Sequence, residues 1–441
     1  MHPYKKFVNL LFKKKKIVIF IFVILIPFII FFSQKNLFKF ESKFKHYKFK
    51  ILEEYINEKN KLTLEDLKNN FIYLDKKKYN FKRIDLSLKS IKFINNYINR
   101  PLGYIDIYKK RIVFVTGDGR LFISNRINIS KLNLLYFDEF KAVNFVSNFD
   151  MEDKNYYRNF VIRDILIEKN YIYIVHTGRN KDLNNNYYAS PKILKGKIDL
   201  INKKVFFENF FSFQEKIYNV GDWSHTGGRL VKYKDNSFLF SVPDHNIPNE
   251  DLKKNLKSDN QITGKILLIK KEKYEIFSKG HRNPQGLFYD KEYDLILETE
   301  HGPTGGDEVN LIKRKEDYGW PLSTYGAHIP NINKYRNHSN HNFMEPLYYW
   351  WPFSSAASQI IKIPNKFNKL WQDSYLMSTL SGSGNQGKSL YRFKFSKNKK
   401  KFIKLNKFFL GDRIRNLKYY NEENILIILL EDSKSLAFIY N

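Results

Sequence analysis

From about residue 80 onward, short apolar runs alternate with turn residues. Arg111-Ile112-Val113-Phe114-Val115 leads into Thr116-Gly117-Asp118-Gly119 and then Leu121-Phe122-Ile123. Two apolar runs joined by Asp-Gly chemistry predict a β-hairpin. Tyr171-Ile172-Tyr173-Ile174-Val175 follows, with an expected end at Thr177-Gly178. Phe238 to Val242, Lys265 to Ile269, Asp294 to Glu298 and Ile425 to Leu430 continue the series. No long amphipathic helix separates these runs, which predicts an all-β sandwich, barrel or propeller. A sandwich is too small a solution for so long a segment, whereas a propeller grows by adding blades. Spacing alone does not fix the blade number.

The pattern differs before residue 80. Ile17 to Phe32 carries no charge, and Lys13-Lys14-Lys15-Lys16 precede it. A membrane-crossing helix needs about 20 apolar residues. Ser33 and Gln34 extend the run, and Lys16 and Lys35 can snorkel. The expectation is one amino-terminal transmembrane helix spanning residues 1–35 with its basic stub. A cleaved signal peptide is the alternative, although no small-residue cleavage pattern follows Phe32. The lysines would stay inside and everything after Lys35 would lie outside. The expected location is the bacterial inner membrane, with the following domain in the periplasm. Residues 36–79 are expected to form a spacer with short helices near Leu52–Ile56 and Leu62–Leu67, and 80–441 the β-rich domain.

Net charge is +31 over 441 residues. The lysines are scattered along the whole chain, so the charge reads as solubility and attraction to anionic headgroups rather than a nucleic-acid groove. With no cysteine, disulfides, thiolate metal sites and cysteine nucleophiles are excluded.

Four polar stretches stand out. Gly280-His281-Arg282-Asn283-Pro284-Gln285-Gly286 and Glu300-His301-Gly302-Pro303-Thr304-Gly305-Gly306-Asp307-Glu308 are expected as loops bracketing Leu295-Ile296-Leu297. Function tends to sit in loops held on a rigid scaffold. His225, in Ser224-His225-Thr226-Gly227-Gly228-Arg229-Leu230, can act as a general base or can simply be bonded in a turn. Pro284 biases Asn283 to extended geometry. Arg282 can stabilise a developing oxyanion, or can staple a loop. Gly302 and Pro303 offer carbonyls that suit calcium, or make a tight turn. Arg413 and Arg415, in Gly411-Asp412-Arg413-Ile414-Arg415-Asn416, share one face of an extended segment. Such a pair receives carboxylates, or forms a solvated strand edge.

In order, content and spacing, these stretches, together with Asp317-Tyr318-Gly319-Trp320-Pro321, resemble the glucose/sorbosone dehydrogenase family of quinoprotein sugar dehydrogenases. The resemblance is dense over 220–321 and resumes over 371–415. It implies a six-bladed β-propeller that uses pyrroloquinoline quinone (PQQ) and Ca2+ to oxidise an aldose-type sugar at C1 to the lactone. Electrons would pass to a respiratory acceptor. It implies His225 as the base and Arg282 as the oxyanion stabiliser. Asn283, Gln285, Arg413 and Arg415 would contact PQQ. Gly302 and Pro303 would hold its calcium, and Glu308 with Tyr318 a second, structural one.

The chain also departs from the family. No glutamine occurs at Arg163-Asp164-Ile165, where an early sugar-contacting glutamine is expected. Ser381 stands where the family has a cofactor lysine, with Lys388 the nearest substitute. Ser224 replaces an acidic or amide residue, and only His328 lies where a further calcium carboxylate is expected. A propeller binding a glycan or protein without turnover, or a calcium-dependent lactonase or esterase, stays open. The redox reading requires the His225 ring and the Arg282 guanidinium to lie close together.

Overall fold

The computed structural model describes residues 71–75, 77–86, 102–145, 161–218, 225, 227–247, 258, 261–326, 338–396 and 401–441. The expected anchor and most of the spacer lie outside these residues. Among the described residues, no helix is long and apolar enough to cross a membrane.

The first strands, β1 (Phe71–Leu74) and β2 (Lys77–Asp85), form an antiparallel pair. Blade 1 follows with β3 (Gly103–Tyr108), β4 (Arg111–Thr116), β5 (Leu121–Arg126) and β6 (Phe137–Val143). Blade 2 holds β7 (Val161–Glu168), β8 (Tyr171–Lys181), β9 (Tyr187–Asp199) and β10 (Lys204–Ser212). Blade 3 is β11 (Leu230–Lys232), β12 (Phe238–Val242), β13 (Lys265–Lys270) and β14 (Lys273–Lys279). Blade 4 is β15 (Pro284–Asp290), β16 (Leu295–Glu300), β17 (Asp307–Ile312) and β18 (Tyr348–Trp350). Blade 5 is β19 (Ala357–Ile363), β20 (Ser374–Thr379), β21 (Ser389–Ser396) and β22 (Lys401–Phe409). Blade 6 begins with β23 (Ile414–Tyr420), β24 (Ile425–Leu430) and β25 (Ser435–Tyr440).

The last blade takes its fourth strand from the start of the described chain. β2 pairs antiparallel with β25, with Phe81 opposite Ile439. The first strand of each blade packs beside that of the next, and β23 returns to β3, so the blades form a closed ring. Six apolar clusters sit between neighbouring blades, including one between blade 6 and blade 1. The outer strands β6 and β10 also pair in parallel. Burial on both faces explains the unbroken apolar runs: β12 and β24 are buried at every position. The outer strands alternate, as β10 shows with Val205 and Phe207 buried between exposed neighbours.

The all-β expectation and the hairpin hold, since β4 and β5 pair antiparallel around Gly117–Arg120. Three boundaries differ. The limit expected at residue 80 falls inside β2, because Tyr79 and Phe81 are core residues among lysines. β8 does not stop at Thr177-Gly178 but runs to Lys181, because β9 pairs with it that far. The expected loops are partly strand: Pro284 pairs with Glu300, and Asp307 and Glu308 open β17. Proline is tolerated as a first strand residue.

If β2 closes the ring, Phe81→Ala should cost about 3 kcal/mol in denaturant unfolding, as Phe81 is 3% exposed against blades 5 and 6. Phe206→Ala, at a side chain 47% exposed, should change stability by less than about 0.5 kcal/mol. Equal losses would contradict closure through β2.

Candidate active site

Inner strands and the loops that feed them bring distant residues together. Two glycines place His225. A Cβ at Gly227 would sit 2.2 Å from Pro284 O, and one at Gly228 (φ +141) would sit 2.9 Å from Arg163 Cβ. Only glycine lets this loop lie so close to β15 and β7.

His225 is buried between an acid and a guanidinium. Its Nδ1 lies 2.6 Å from Asp244 Oδ1, and its Nε2 lies 3.0 Å from Arg282 Nη2. Arg282 carries only donors, so Nε2 accepts and Nδ1–H donates to Asp244. Asp244 also accepts from Asn246 N at 2.9 Å and from Trp320 Nε1 at 3.0 Å. The Trp320 ring lies 5.2 Å from the Arg282 guanidinium, which closes a four-membered box of side chains. Burial pushes the Asp244 carboxyl up, but the hydrogen bond from His225 and the Arg282 charge outweigh it and hold the group below the usual range.

Arg282 also donates to His301 O at 3.0 Å and Gly302 O at 2.7 Å. Burial lowers its guanidinium from the ordinary value, opposed by Asp244, Asp307 and Glu300. The proximity required of His225 and Arg282 is therefore present.

The other residues singled out in the sequence join the same network. Asn283 Oδ1 accepts from Gly227 N at 3.1 Å and from Gln285 Nε2 at 2.9 Å. Gln285 Oε1 accepts from Arg415 Nη1 at 3.2 Å. Arg413 and Arg415 do share a face, and both grip Glu431: Arg415 Nε to Oε1 at 2.9 Å and Arg413 Nε to Oε2 at 3.1 Å. Burial raises the Glu431 carboxyl, but Arg415 and Arg413 outweigh it and hold it down. Ser381 Oγ accepts from Arg413 Nη1 at 3.0 Å. Lys388 pairs with Asp432 at 2.9 Å, so its ammonium is engaged there.

The metal-ligand candidates are more dispersed. A Cβ at Gly302 would lie 2.2 Å from Gly305 O and 2.5 Å from Gly306 O, so carbonyls crowd this turn. Pro303 packs against Gly326. Asp307 is fully engaged, with Oδ1 on Gly302 N at 3.0 Å and Oδ2 on Ser354 Oγ and Ala356 N, each at 2.6 Å. Glu308 faces Asn310 at 3.3 Å. The Tyr318 hydroxyl turns to Leu311 O at 2.6 Å and Lys313 N at 2.9 Å, so only its main chain is left to serve a cation. His328 and Ser224 lie outside the described residues.

The sequence reading missed Asp244, Glu431 and Arg163. The first two are acids at or just beyond the ends of buried strands, in Val242-Pro243-Asp244 and Leu430-Glu431. That position was the available signal. Arg163 is 2% exposed, and none of its three side-chain nitrogens has a hydrogen-bond partner. Burial pushes it down to about 10, with Tyr104 opposing and Arg415 adding to the shift. Next to it, Asp164 accepts from Arg229 Nη1 and Leu230 N, each at 3.0 Å. Arg229 is thus paired with Asp164, and Arg413 and Arg415 with Glu431, while Arg163 has no such partner.

Residues 113–438 match the model of the Glucose / Sorbosone dehydrogenase family. The aldose sugar dehydrogenase YliI of Escherichia coli is 29% identical over 170 residues, covering 36% of this chain and 45% of that protein. The chain spans about half the length of the curated relatives it matches most extensively. The crystal structure of the apo aldose sugar dehydrogenase from Escherichia coli superposes with a TM-score of 0.62 at 18% identity, covering 81% of this chain and 99% of that one. The PQQ-bound aldose sugar dehydrogenase from Streptomyces coelicolor gives 0.55 at 15% identity, covering 82% and 98%. These two likenesses carry the propeller fold. The family match, extending from blade 1 into the final strand, carries more: the chain belongs to the glucose/sorbosone dehydrogenase family.

Proposed function

We propose that this protein oxidises an aldose-type sugar at C1 to the lactone, with PQQ as the resident cofactor. The observation that carries the reading is the 3.0 Å contact between His225 Nε2 and Arg282 Nη2, with Asp244 behind the imidazole at 2.6 Å. Asp244 fixes the tautomer, so the basic lone pair of His225 faces Arg282. Nε2 is then the atom that takes the proton of the anomeric hydroxyl, once the sugar hydroxyl replaces the Arg282 N–H on that lone pair. Arg282 supplies fixed positive charge beside that atom, where negative charge develops on the acceptor.

The central residues fit an anionic, tricarboxylate cofactor. The Arg163 nitrogens are buried there without partners, a condition that an anion relieves. When bound, PQQ supplies a quinone that accepts a hydride. Arg413, Arg415 and Arg163 would hold its carboxylates, with Asn283 and Gln285 orienting it. Calcium on Gly302 and Pro303 fits less well. Arg282 already donates to Gly302 O at 2.7 Å, which sets a cation against a cation. A second calcium would draw on Glu308 and the Tyr318 main chain.

We also propose that Ile17 to Phe32 anchors the propeller at the bacterial inner membrane, facing the periplasm, where a respiratory acceptor takes the electrons. Binding of a glycan without turnover is the second reading. It is favoured by the engagement of Lys388 with Asp432, which leaves no lysine for the cofactor in that loop. Glycan binding that survives His225→Ala would support it.

Purified protein supplied with PQQ and Ca2+ should reduce a dye with aldoses as donors. No turnover, together with no PQQ binding by titration, overturns the reading. His225→Gln should lower kcat by about 10²–10⁴-fold, and Asp244→Asn by up to roughly 10⁴-fold. PQQ affinity should hardly change in either. Arg163→Gln should weaken PQQ binding about tenfold and raise the melting temperature of the cofactor-free protein, because it removes a buried unpaired charge. A variant that is neither weaker in binding nor more stable would remove Arg163 from the site.

A further inference from the structure

Blade 4 buries a second polar cluster that the redox reading does not use. Residues two apart on a strand share a face. Glu298 lies opposite Asn310, and Glu300 opposite Glu308. Glu298 and Asn310 are 0% exposed. The Asn310 amide nitrogen sits 3.0 Å from Glu298 Oε2, 3.2 Å from Glu300 Oε1 and 3.3 Å from Glu308 Oε2. An amide NH₂ has two hydrogens and cannot satisfy three carboxylates. Among the described residues, no lysine or arginine side chain pairs with any of the three.

His281 completes the cluster. It is fully buried and stacked on Tyr318, with ring centroids 4.7 Å apart. Its Nε2 lies 2.9 Å from Ser278 Oγ. With Nε2–H donated to Ser278, Nδ1 turns a lone pair towards Glu300 Oε1 at 3.7 Å, which is beyond hydrogen-bond range. Glu298 Oε1 and His281 Nδ1 have no hydrogen-bond partner. Ligand atoms of His281, Glu298 and Glu300 all lie within 4.8 Å of one another.

We propose that His281 Nδ1, Glu298 and Glu300 bind a divalent cation of the Zn2+ or Mn2+ type. Donors sharing such an ion at about 2.0–2.2 Å lie apart by about the distance seen between Nδ1 and Glu300. One imidazole and two carboxylates suit these ions, whereas Ca2+ takes six to eight oxygens. The ion offsets two of the buried charges and leaves the Asn310 amide to Glu308. Ser278 on the far nitrogen of His281 is the support a metal-bound histidine usually has. None of these three ligands is a residue assigned above to PQQ or calcium.

The cation braces the catalytic loop. Glu300 Oε2 accepts from Arg282 N at 2.5 Å, and His281 is the residue before Arg282. Two ligands thus hold the main chain of the arginine that touches His225.

The test uses the full chain, stripped with a chelator and titrated separately with ZnCl2, MnCl2 and CaCl2 in the absence of PQQ and sugar. It therefore stands apart from the redox reading. Wild type should take up one Zn2+ or Mn2+ per chain and melt at a higher temperature with it. Glu298→Gln should weaken that binding about 100-fold and lose the melting shift, while any Ca2+ binding persists. Pulsed electron paramagnetic resonance of the Mn2+ form should show one coupled imidazole nitrogen. Failure of wild type to bind either ion, equal affinity in Glu298→Gln, or a Mn2+ spectrum without imidazole nitrogen overturns the proposal. The spectrum decides even if the variant does not fold.

Discussion

Blades closed around one axis press their first strands against each other, so polar groups on those strands must pair among themselves. The closing β2–β25 pair joins the start of the described β-structure to its end and holds this arrangement. Its consequence is visible in the network. Arg229 Nη1 reaches Asp164 across 65 residues of chain, Arg415 Nη1 reaches Gln285 across 130, and Leu102 N reaches Glu431 across 329. Buried charge is tolerated only when paired and hydrogen-bonded, and nearly every group here obeys that rule. Arg163 in one cluster and His281 with Glu298 in another are among the exceptions, and these are the ones where ligands are proposed. Their charges are opposite, which is why an anion is assigned to the first and a cation to the second.

The two clusters meet at Arg282. Its side chain bridges the His225 ring and the carbonyls of His301 and Gly302. Its main chain hangs from Glu300. A guanidinium has many rotamers, and a fixed charge beside His225 needs one. Trp320 on one side and the carbonyl turn on the other remove that freedom, so the charge beside His225 is set before any ligand arrives.

Much of the fold was legible because sandwiched strands need apolar side chains on both faces. Ile425 to Leu430 and Phe238 to Val242 announce themselves this way, and Asp118-Gly119 announces its turn. β2 was hidden: Tyr79 and Phe81 alternate with lysines and asparagine, so the closing strand read as spacer. At the site, clustered glycine, proline and arginine pointed to His225, Arg282 and the Arg413–Arg415 pair. Asp244 and Glu431 did not stand out, since one acid at a strand end looks like any other until its partner arrives from another blade. The Tyr318 hydroxyl and Lys388 turned elsewhere for the same reason. A side chain's residue type states what it can bond, whereas packing decides which bond it makes.

The most direct measurement is a crystal structure of the full chain grown with PQQ. Cofactor density is expected at the ring centre, against the guanidiniums of Arg282, Arg413 and Arg415, with His225 still bonded to Asp244. Cofactor bound away from these arginines, or a centre that stays closed over them at saturating PQQ, would contradict it.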